Sequence, residues 1–474
     1  MTGKMNCPKT KIVATVGPAS LEVPVLVRLA RAGADVFRIN FSHGTLEEHR
    51  QQLENIRQAG VQIGEPLAIM ADLCGPKIRV GKMQEGVSLV EGEEVTIQRD
   101  PVVGNAKRFS TTLAELIEEV QPGEQIRLDD GKLRLEATAV RTPDEIVCRI
   151  ITGGPLSGGK GIHLPQTRLS IAALTEKDFS DARWIAERDF DYVALSFVQG
   201  PDSVLELRDF LAKHGSSAKV VAKIEKPNAI RNIGPIIEAS DVILVARGDM
   251  GVEMDLPEVP LAQKRLAELC RQAGKPCIIA TQMLESMTSS PTPTRAEVSD
   301  VANAVLDMAD AVMLSGETAI GKYPVESVAM MDSIVRRAEQ YQEESGRGLT
   351  LDLPGGGAAA IAQAVHTVVF AEPVRAVVTF SASGTTAQAL SKMRLPVPLL
   401  VLTPNRRVLQ QACLLYGVQS RPAETPEHTG DVLALAAQTV ADLGWAVQGE
   451  CIIVVSGRPI GRPGSTNTLV VHRL

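Results

Sequence analysis

The chain is poor in aromatic residues. Phe, Trp and Tyr make up 3% of its 474 residues, too few for the stacking platforms that hold single-stranded nucleic acids. An excess of positive charge is also missing: 49 Lys and Arg against 56 Asp and Glu leave a net charge of −7, so no basic field attracts a phosphate backbone. Seven cysteines are scattered through the chain, odd in number and without a CxxC pair. That argues against a disulfide framework or a zinc site and fits reduced thiols in a cytosol. No uninterrupted apolar run is long enough to span a membrane, and MTGKMNCPKTKIVATVGPAS at the N-terminus has no apolar signal-peptide core. The expectation is a cytoplasmic protein whose partners are small molecules, with no nucleic acid and no membrane among them.

What is present describes a core-forming chain. Hydrophobic residues are 44% and charged residues 22%, and the length implies two or three domains. The organising stretch is residues 219–253, KVVAKIEKPNAIRNIGPIIEASDVILVARGDMGVE. Two short β-branched runs that end in charge flank a segment of helical period. Strand side chains alternate faces, so Lys223 and Glu225 share a side, and Asp249 follows the second run. A lysine and two carboxylates at the ends of neighbouring parallel strands suit a divalent cation and an anionic substrate. Solvated strand ends or structural ion pairs are the plainer reading of the same residues.

The same strand-then-helix alternation runs through most of the chain. Short runs rich in Val, Ile, Ala and Leu recur at 11–17, 35–44, 67–73, 192–198, 219–225, 241–249, 276–282 and 311–317. Each is paired with a helical segment, the signature of a (β/α)8 TIM barrel within the α/β class. On the second run Arg38, Asn40 and Ser42 are expected on one face, followed by His43. Polar residues gather at the ends of the runs, Asp72, Thr281 and Glu317 among them, and a barrel brings such ends to one mouth.

Between the third and fourth runs the texture changes to short alternating segments with Gly, Asp, Asn and Pro turns. Residues 73–166 therefore read as an inserted small β-barrel lid, with one extended helix over 111–120. The barrel is assigned to 1–72 and 167–345. After the Gly/Pro-rich linker, 346–474 read as an open α/β sheet. Its loops SASGTT (381–386) and GRPIGRPGSTNT (457–468) suit a phosphate, although ordinary turns look similar.

The segments RINFSHG, DLCGPKIR, KIEKPNAIRN, VARGDMGVE, ATQMLESM, PTPTRAEVSDVANAVLDMADAVMLSGETA and KYPVES resemble the pyruvate kinase family, in order and over nearly the whole chain. The resemblance implies a barrel, an inserted β lid and a C-terminal regulatory α/β domain. The implied activity is phosphoryl transfer from phosphoenolpyruvate to ADP, giving pyruvate and ATP. Glu225 and Asp249 match the ligands of Mg2+ or Mn2+. Lys223 and Arg38 match contacts to the phosphoryl group. The Gly248 backbone, beside Asp249, and Thr281 match contacts to the substrate carboxylate. Asn40, His43, Arg79 and Lys160 match positions near the nucleotide.

One departure concerns the monovalent cation. Many members hold K+ with residues equivalent to Asn40, Ser42, Asp72 and the backbone of Leu73, and carry Glu where this chain has Lys77. An ammonium at Lys77 is expected to replace the ion, so K+ is not required. Ser381, Ser383, Gly384, Thr385 and Thr386 resemble the family's site for a phosphorylated effector, and the family usually forms homotetramers. Two alternatives stay open: another metal-dependent barrel enzyme of phosphoenolpyruvate or pyruvate, such as a C–C lyase, and a metabolite-binding regulator without catalysis.

Overall fold

The computed structural model describes residues 8–141, 143–167, 172–344 and 355–474. Eight parallel strands close into a barrel: β1 (Lys11–Thr15), β2 (Ala34–Asn40), β3 (Ala68–Asp72), β4 (Tyr192–Leu195), β5 (Lys219–Ile224), β6 (Val242–Ala246), β7 (Cys277–Ala280) and β8 (Ala311–Leu314). Neighbours in sequence are neighbours in space, and β8 closes onto β1 with Lys11 beside Ala311. The strands are near-continuous apolar runs because both faces are covered, one by helices and one by the barrel interior.

Alternation sorts each strand. Val13, Val36, Met70, Tyr192, Ala194, Val221, Leu244 and Ile278 fill the interior, and Cys413 and Leu414 of the C-terminal unit plug its base. Residues of the same parity further along each strand must point toward the mouth. Those are Thr15, Arg38, Asn40, Asp72, Ser196, Lys223 and Glu225, which is how an ordinary barrel core aims a polar set at one place.

Several strands stop earlier than their apolar runs suggest. β2 ends at Asn40, so Ser42 lies beyond the strand and does not share its face. Instead the Ser42 backbone N–H turns back to donate to Asn40 Oδ1 at 3.0 Å. β6 ends at Ala246, and Arg247–Glu253 is a short helix with Asp249 in its first turn. The helical segment before β6 is split, Pro227–Arg231 and then Ile233–Ala239. β8 ends at Leu314, and Glu317 sits in the turn Gly316–Ala319.

The insertion carries a six-stranded sheet and a separate two-stranded one around its own core of Val95, Ile97, Phe109, Ile126, Leu135 and Ile146. Its helix is a single turn, Leu116–Glu119, rather than the ten residues expected. The adjacent Leu116 and Ile117 serve the lid core, and one turn suffices to bury them. The C-terminal unit is a five-stranded sheet. Two of its strands, Val418–Pro422 and Thr466–Arg473, were not expected from sequence, and the second takes up the end of the loop 457–468. Buried Asp310 joins barrel to C-terminal unit, 2.6 Å from Lys392 Nζ and 3.0 Å from Arg394 Nη2. Among the described residues no helix is long and apolar enough to cross a membrane.

Candidate active site

At the mouth, Lys223 is the hub. Its Nζ lies 3.0 Å from Glu225 Oε1 and 3.4 Å from Asp72 Oδ1, and it donates to Ser196 Oγ at 2.8 Å. Burial works against its charge, but Asp72, Glu225 and Asp249 overcome this and raise its pKa above the ordinary lysine value. The surrounding carboxylates therefore favour the charged ammonium. Ser196 Oγ–H in turn donates to the Leu73 carbonyl at 2.9 Å, so its lone pair is left aimed at Lys223.

Asp72 has a second cation. Arg38 Nε and Nη2 both lie 2.6 Å from Asp72 Oδ2, while Arg38 Nη1 donates to Thr15 Oγ1 at 3.0 Å. Burial pushes Asp72 up, yet Lys223 and Arg38 outweigh it and hold the carboxyl below its usual range. One buried carboxylate thus fixes two cations side by side.

Glu225 is held by the Phe197 N–H at 3.0 Å. Burial pushes its pKa up, Lys223 opposes, and the negative charge of Asp249 pushes it up further. A second negative charge beside Glu225 in a water-poor site favours a divalent cation between the two carboxylates. Among the described residues no group of three or more His, Cys, Asp or Glu is placed to hold a metal. Glu225 and Asp249 would hold a divalent cation with coordination left for substrate oxygens and water, a donor chemistry that fits Mg2+ or Mn2+.

Thr281 and Gln282 follow β7 with φ of 69° and 53°, and Phe197 follows β4 with φ of 56°. Non-glycine residues in this left-handed region cost on the order of 1–3 kcal/mol each and mark sites where placement matters. Thr281 Oγ1 accepts from the Gly248 N–H at 2.6 Å. A Cβ on Gly248 would stand 3.3 Å from both Thr281 Cβ and Oγ1, so a side chain there would press on the hydroxyl. Arg247 donates to the Thr281 carbonyl at 2.8 Å and to Asp300 at 2.6 Å, fixing the strained turn from behind. Glu317, by contrast, is consumed by backbone: it accepts from Leu284 N–H at 3.0 Å and Ser315 N–H at 2.7 Å.

Asn40 stands beside Asp72 across the β2–β3 ladder. The pKa of His43 is lowered by burial, then by the charges of Lys77, Arg79 and Arg38, so His43 lies within electrostatic reach of all three. Lys77 itself is exposed, and the cations in contact with Asp72 are Arg38 and Lys223. Arg79 donates to the Gly159 carbonyl at 2.8 Å. Lys160 is paired with Asp129 at 2.8 Å and does not line the cleft between lid and barrel, where Lys77, Arg79, His163, Lys226, Asp249 and Glu253 meet. In the C-terminal unit Ser381 Oγ accepts from Gly384 N–H at 3.0 Å, Ser383 and Thr385 hydroxyls are 3.1 Å apart, and Thr386 Oγ1 is 2.6 Å from Thr466 Oγ1. Ser196 and Thr15 are the site residues missed from sequence. Both lie on the interior parity of their strands, which is the signal that would have found them.

A parallel barrel with buried cations and paired carboxylates at its mouth, beneath an inserted lid, defines a barrel enzyme built to handle a multiply charged anion. Comparison with known proteins narrows this. Residues 7–328 match the family model described as pyruvate kinase, barrel domain, and residues 359–472 match pyruvate kinase, alpha/beta domain. The chain is 42% identical over 469 residues to the pyruvate kinase of Geobacillus stearothermophilus, covering 98% of this chain and 80% of that one. It is 40% identical over 468 residues to that of Corynebacterium glutamicum, covering 98% of each. A crystal structure of a pyruvate kinase from Cryptosporidium parvum superposes with a TM-score of 0.92 at 32% identity, over 98% of this chain and 96% of that one. The chain belongs to the pyruvate kinase family and is a phosphotransferase.

Proposed function

We propose that the protein transfers the phosphoryl group of phosphoenolpyruvate to ADP, giving pyruvate and ATP, as a glycolytic enzyme of the cytoplasm. The observation that carries this reading is the hub at Lys223: an ammonium held between Asp72, Glu225 and Ser196, with Arg38 on the other side of Asp72. Phosphoryl transfer demands positioning and charge neutralisation rather than covalent chemistry, and two fixed cations provide both. Lys223 and Arg38 bind the phosphoryl oxygens. Glu225 and Asp249 would hold Mg2+ or Mn2+, which would supply positive charge to offset that of the anionic substrate. To orient the substrate carboxylate, the Gly248 N–H exchanges its bond to Thr281 Oγ1, and the Thr281 hydroxyl exchanges the bond it donates to the Ala280 carbonyl, for bonds to the carboxylate. Asn40, His43 and Arg79 take the nucleotide, and Lys160 joins them by leaving its partner Asp129. In balance, the enol oxygen–phosphorus bond breaks, the ADP oxygen–phosphorus bond forms, and the enolate takes a proton to become pyruvate.

Lys77 is read as the stand-in for K+, with Asn40, Ser42 and Asp72 around the ion's place. Its charge already reaches His43. The loop Ser381–Thr386, tied to the last strand through Thr386 and Thr466, is read as an effector site for a phosphorylated metabolite. A homotetramer is supported by exposed Leu256, Leu261 and Phe370 and by the edge position of the strand Thr466–Arg473.

The test is pyruvate formation from phosphoenolpyruvate and ADP with Mg2+, in K+-free and K+-containing buffers, for the wild type, Glu225→Gln and Lys77→Glu. We expect metal-dependent turnover in both buffers, a loss of about 10²–10³-fold in Glu225→Gln, and loss of K+-free activity alone in Lys77→Glu. Turnover only with K+ would discard the role of Lys77 and keep the kinase. No turnover, even with phosphorylated effectors present, would favour the lyase or regulator instead.

A further inference from the structure

Two lid residues grip the helix that carries Asp249. The lid strands Gln125–Leu128 and Ile162–His163 pair antiparallel, with Arg127 directly opposite His163. Paired residues project to one side of a sheet, and here that side meets the barrel. Arg127 Nη1 donates to the carbonyls of Val252 at 2.7 Å and Met254 at 3.3 Å, and Arg127 Nη2 lies 3.8 Å from Asp255 Oδ1. His163 Nδ1 lies 3.2 Å from Glu253 Oε1. Arg127 and Glu253 are buried and His163 is nearly so, so the bonds of Arg127 to the two carbonyls and the His163–Glu253 contact are sheltered from water and worth more than surface pairs; the Asp255 carboxylate is exposed and adds little.

The carbonyls that Arg127 takes are those a helix leaves unpaired at its C-terminal end. The helix Arg247–Glu253 is seven residues long, short enough that holding its last turn sets its first, where Gly248 and Asp249 lie. The grip also extends sideways. Lys226 Nζ is 3.9 Å from Glu253 Oε1 and 5.7 Å from the centre of the Phe197 ring, and the Phe197 N–H holds Glu225. Through Glu253 the lid therefore touches the supports of both carboxylates.

We propose that Arg127 and His163 are positioning residues: a two-point clasp by which the docked lid sets Asp249 against Glu225 and strengthens divalent-cation binding. The proposal rests on the reading of Glu225 and Asp249 as the cation pair. By reciprocity, a cation bound there strengthens lid docking by the same factor.

The experiment uses the full chain and Mn2+ as the probe, without substrate or nucleotide, with free Mn2+ read by electron paramagnetic resonance. Wild type, Glu225→Gln, the double variant R127L/H163L, Arg127→Lys and His163→Gln are compared. Limited proteolysis of the lid is followed with and without Mn2+. The double variant should bind Mn2+ about fivefold or more weakly, the two conservative variants should recover most of the loss, and Mn2+ should protect the lid of the wild type but not of the double variant. Wild-type binding that R127L/H163L matches, while Glu225→Gln loses it, overturns the clasp alone. Wild-type binding no tighter than that of Glu225→Gln overturns the cation reading beneath it. Should the double variant unfold in chelator, His163→Leu alone, which leaves both Arg127 bonds in place, carries the test on the same criterion.

Discussion

Ser196 is where the site depends on a residue with no charge. Lys223 has two carboxylates to choose from, and a flexible four-carbon stem that either can pull aside. The Ser196 hydroxyl adds a third anchor at 2.8 Å, and it is oriented by its own bond to the Leu73 carbonyl at 2.9 Å. Removing it leaves the ammonium charged but less fixed. A single hydrogen bond to a charged group is worth about 1.5–3 kcal/mol, of which the site recovers part through Glu225 and Asp72. Ser196→Ala should therefore lower kcat about tenfold, equivalent to about 1.4 kcal/mol of barrier. The KM for ADP should stay near wild type, because the Ser196 hydroxyl bonds Lys223 and the Leu73 carbonyl and none of the residues read as nucleotide-binding. Steady-state kinetics in both substrates would check this, and an unchanged kcat would remove Ser196 from the machinery.

At the scale of elements, the barrel was legible because each strand is buried on both faces and its residues repeat the same apolar texture. Asp72, Lys223, Glu225 and Arg38 stood out as charges ending such runs. Ser196 and Thr15 occupy equivalent positions, but a small hydroxyl at a strand end is common and carries no signal until parity is applied across all eight strands. Element ends were less legible. VARGD and AVMLSGE read on as strands because their residues suit either state, whereas the chain turns helical as soon as it leaves the ladder. The strands Val418–Pro422 and Thr466–Arg473 were missed because they are partly exposed and mix polar with apolar residues, as the sheet's edges permit. Arg127 and His163 were out of reach for a different reason. Their meaning lies in which helix the lid rests on, and no local pattern encodes a contact between residues 90 apart, as His163 and Glu253 are.

The whole molecule turns on how the C-terminal unit seats against the base of the barrel, and Asp191 lies at that joint. Its side chain is fully buried, accepting from the Ile69 N–H at 2.7 Å and Arg57 Nη2 at 3.1 Å. Its backbone carbonyl accepts from Gln411 of the C-terminal unit at 3.3 Å, and neighbouring Tyr192 donates to the Gln411 carbonyl at 2.6 Å. Burial pushes Asp191 up to about 6, against the pull of Arg57. An unfolded aspartate titrates near 3.9, so the folded protein binds this proton more tightly than the unfolded chain does. The resulting stabilisation is complete below about pH 4, declines as pH rises toward 6 and is gone above it; two pKa units correspond to about 3 kcal/mol. Asp72, whose pKa is depressed, contributes in the opposite sense and loses its share as pH falls, so the pH profile of the wild type alone does not isolate either group. The difference between wild type and Asp191→Asn does. Asparagine keeps an acceptor for Ile69 and never ionises, so the wild type should gain stability relative to the variant on going from pH 7 to pH 5. Urea unfolding at pH 7, 6 and 5 reads this through Trp184 in the barrel and Trp445 in the C-terminal unit. A difference that stays flat across that range would mean that Arg57 keeps Asp191 ionised throughout, and that the joint is held by the ion pair rather than by a shared proton.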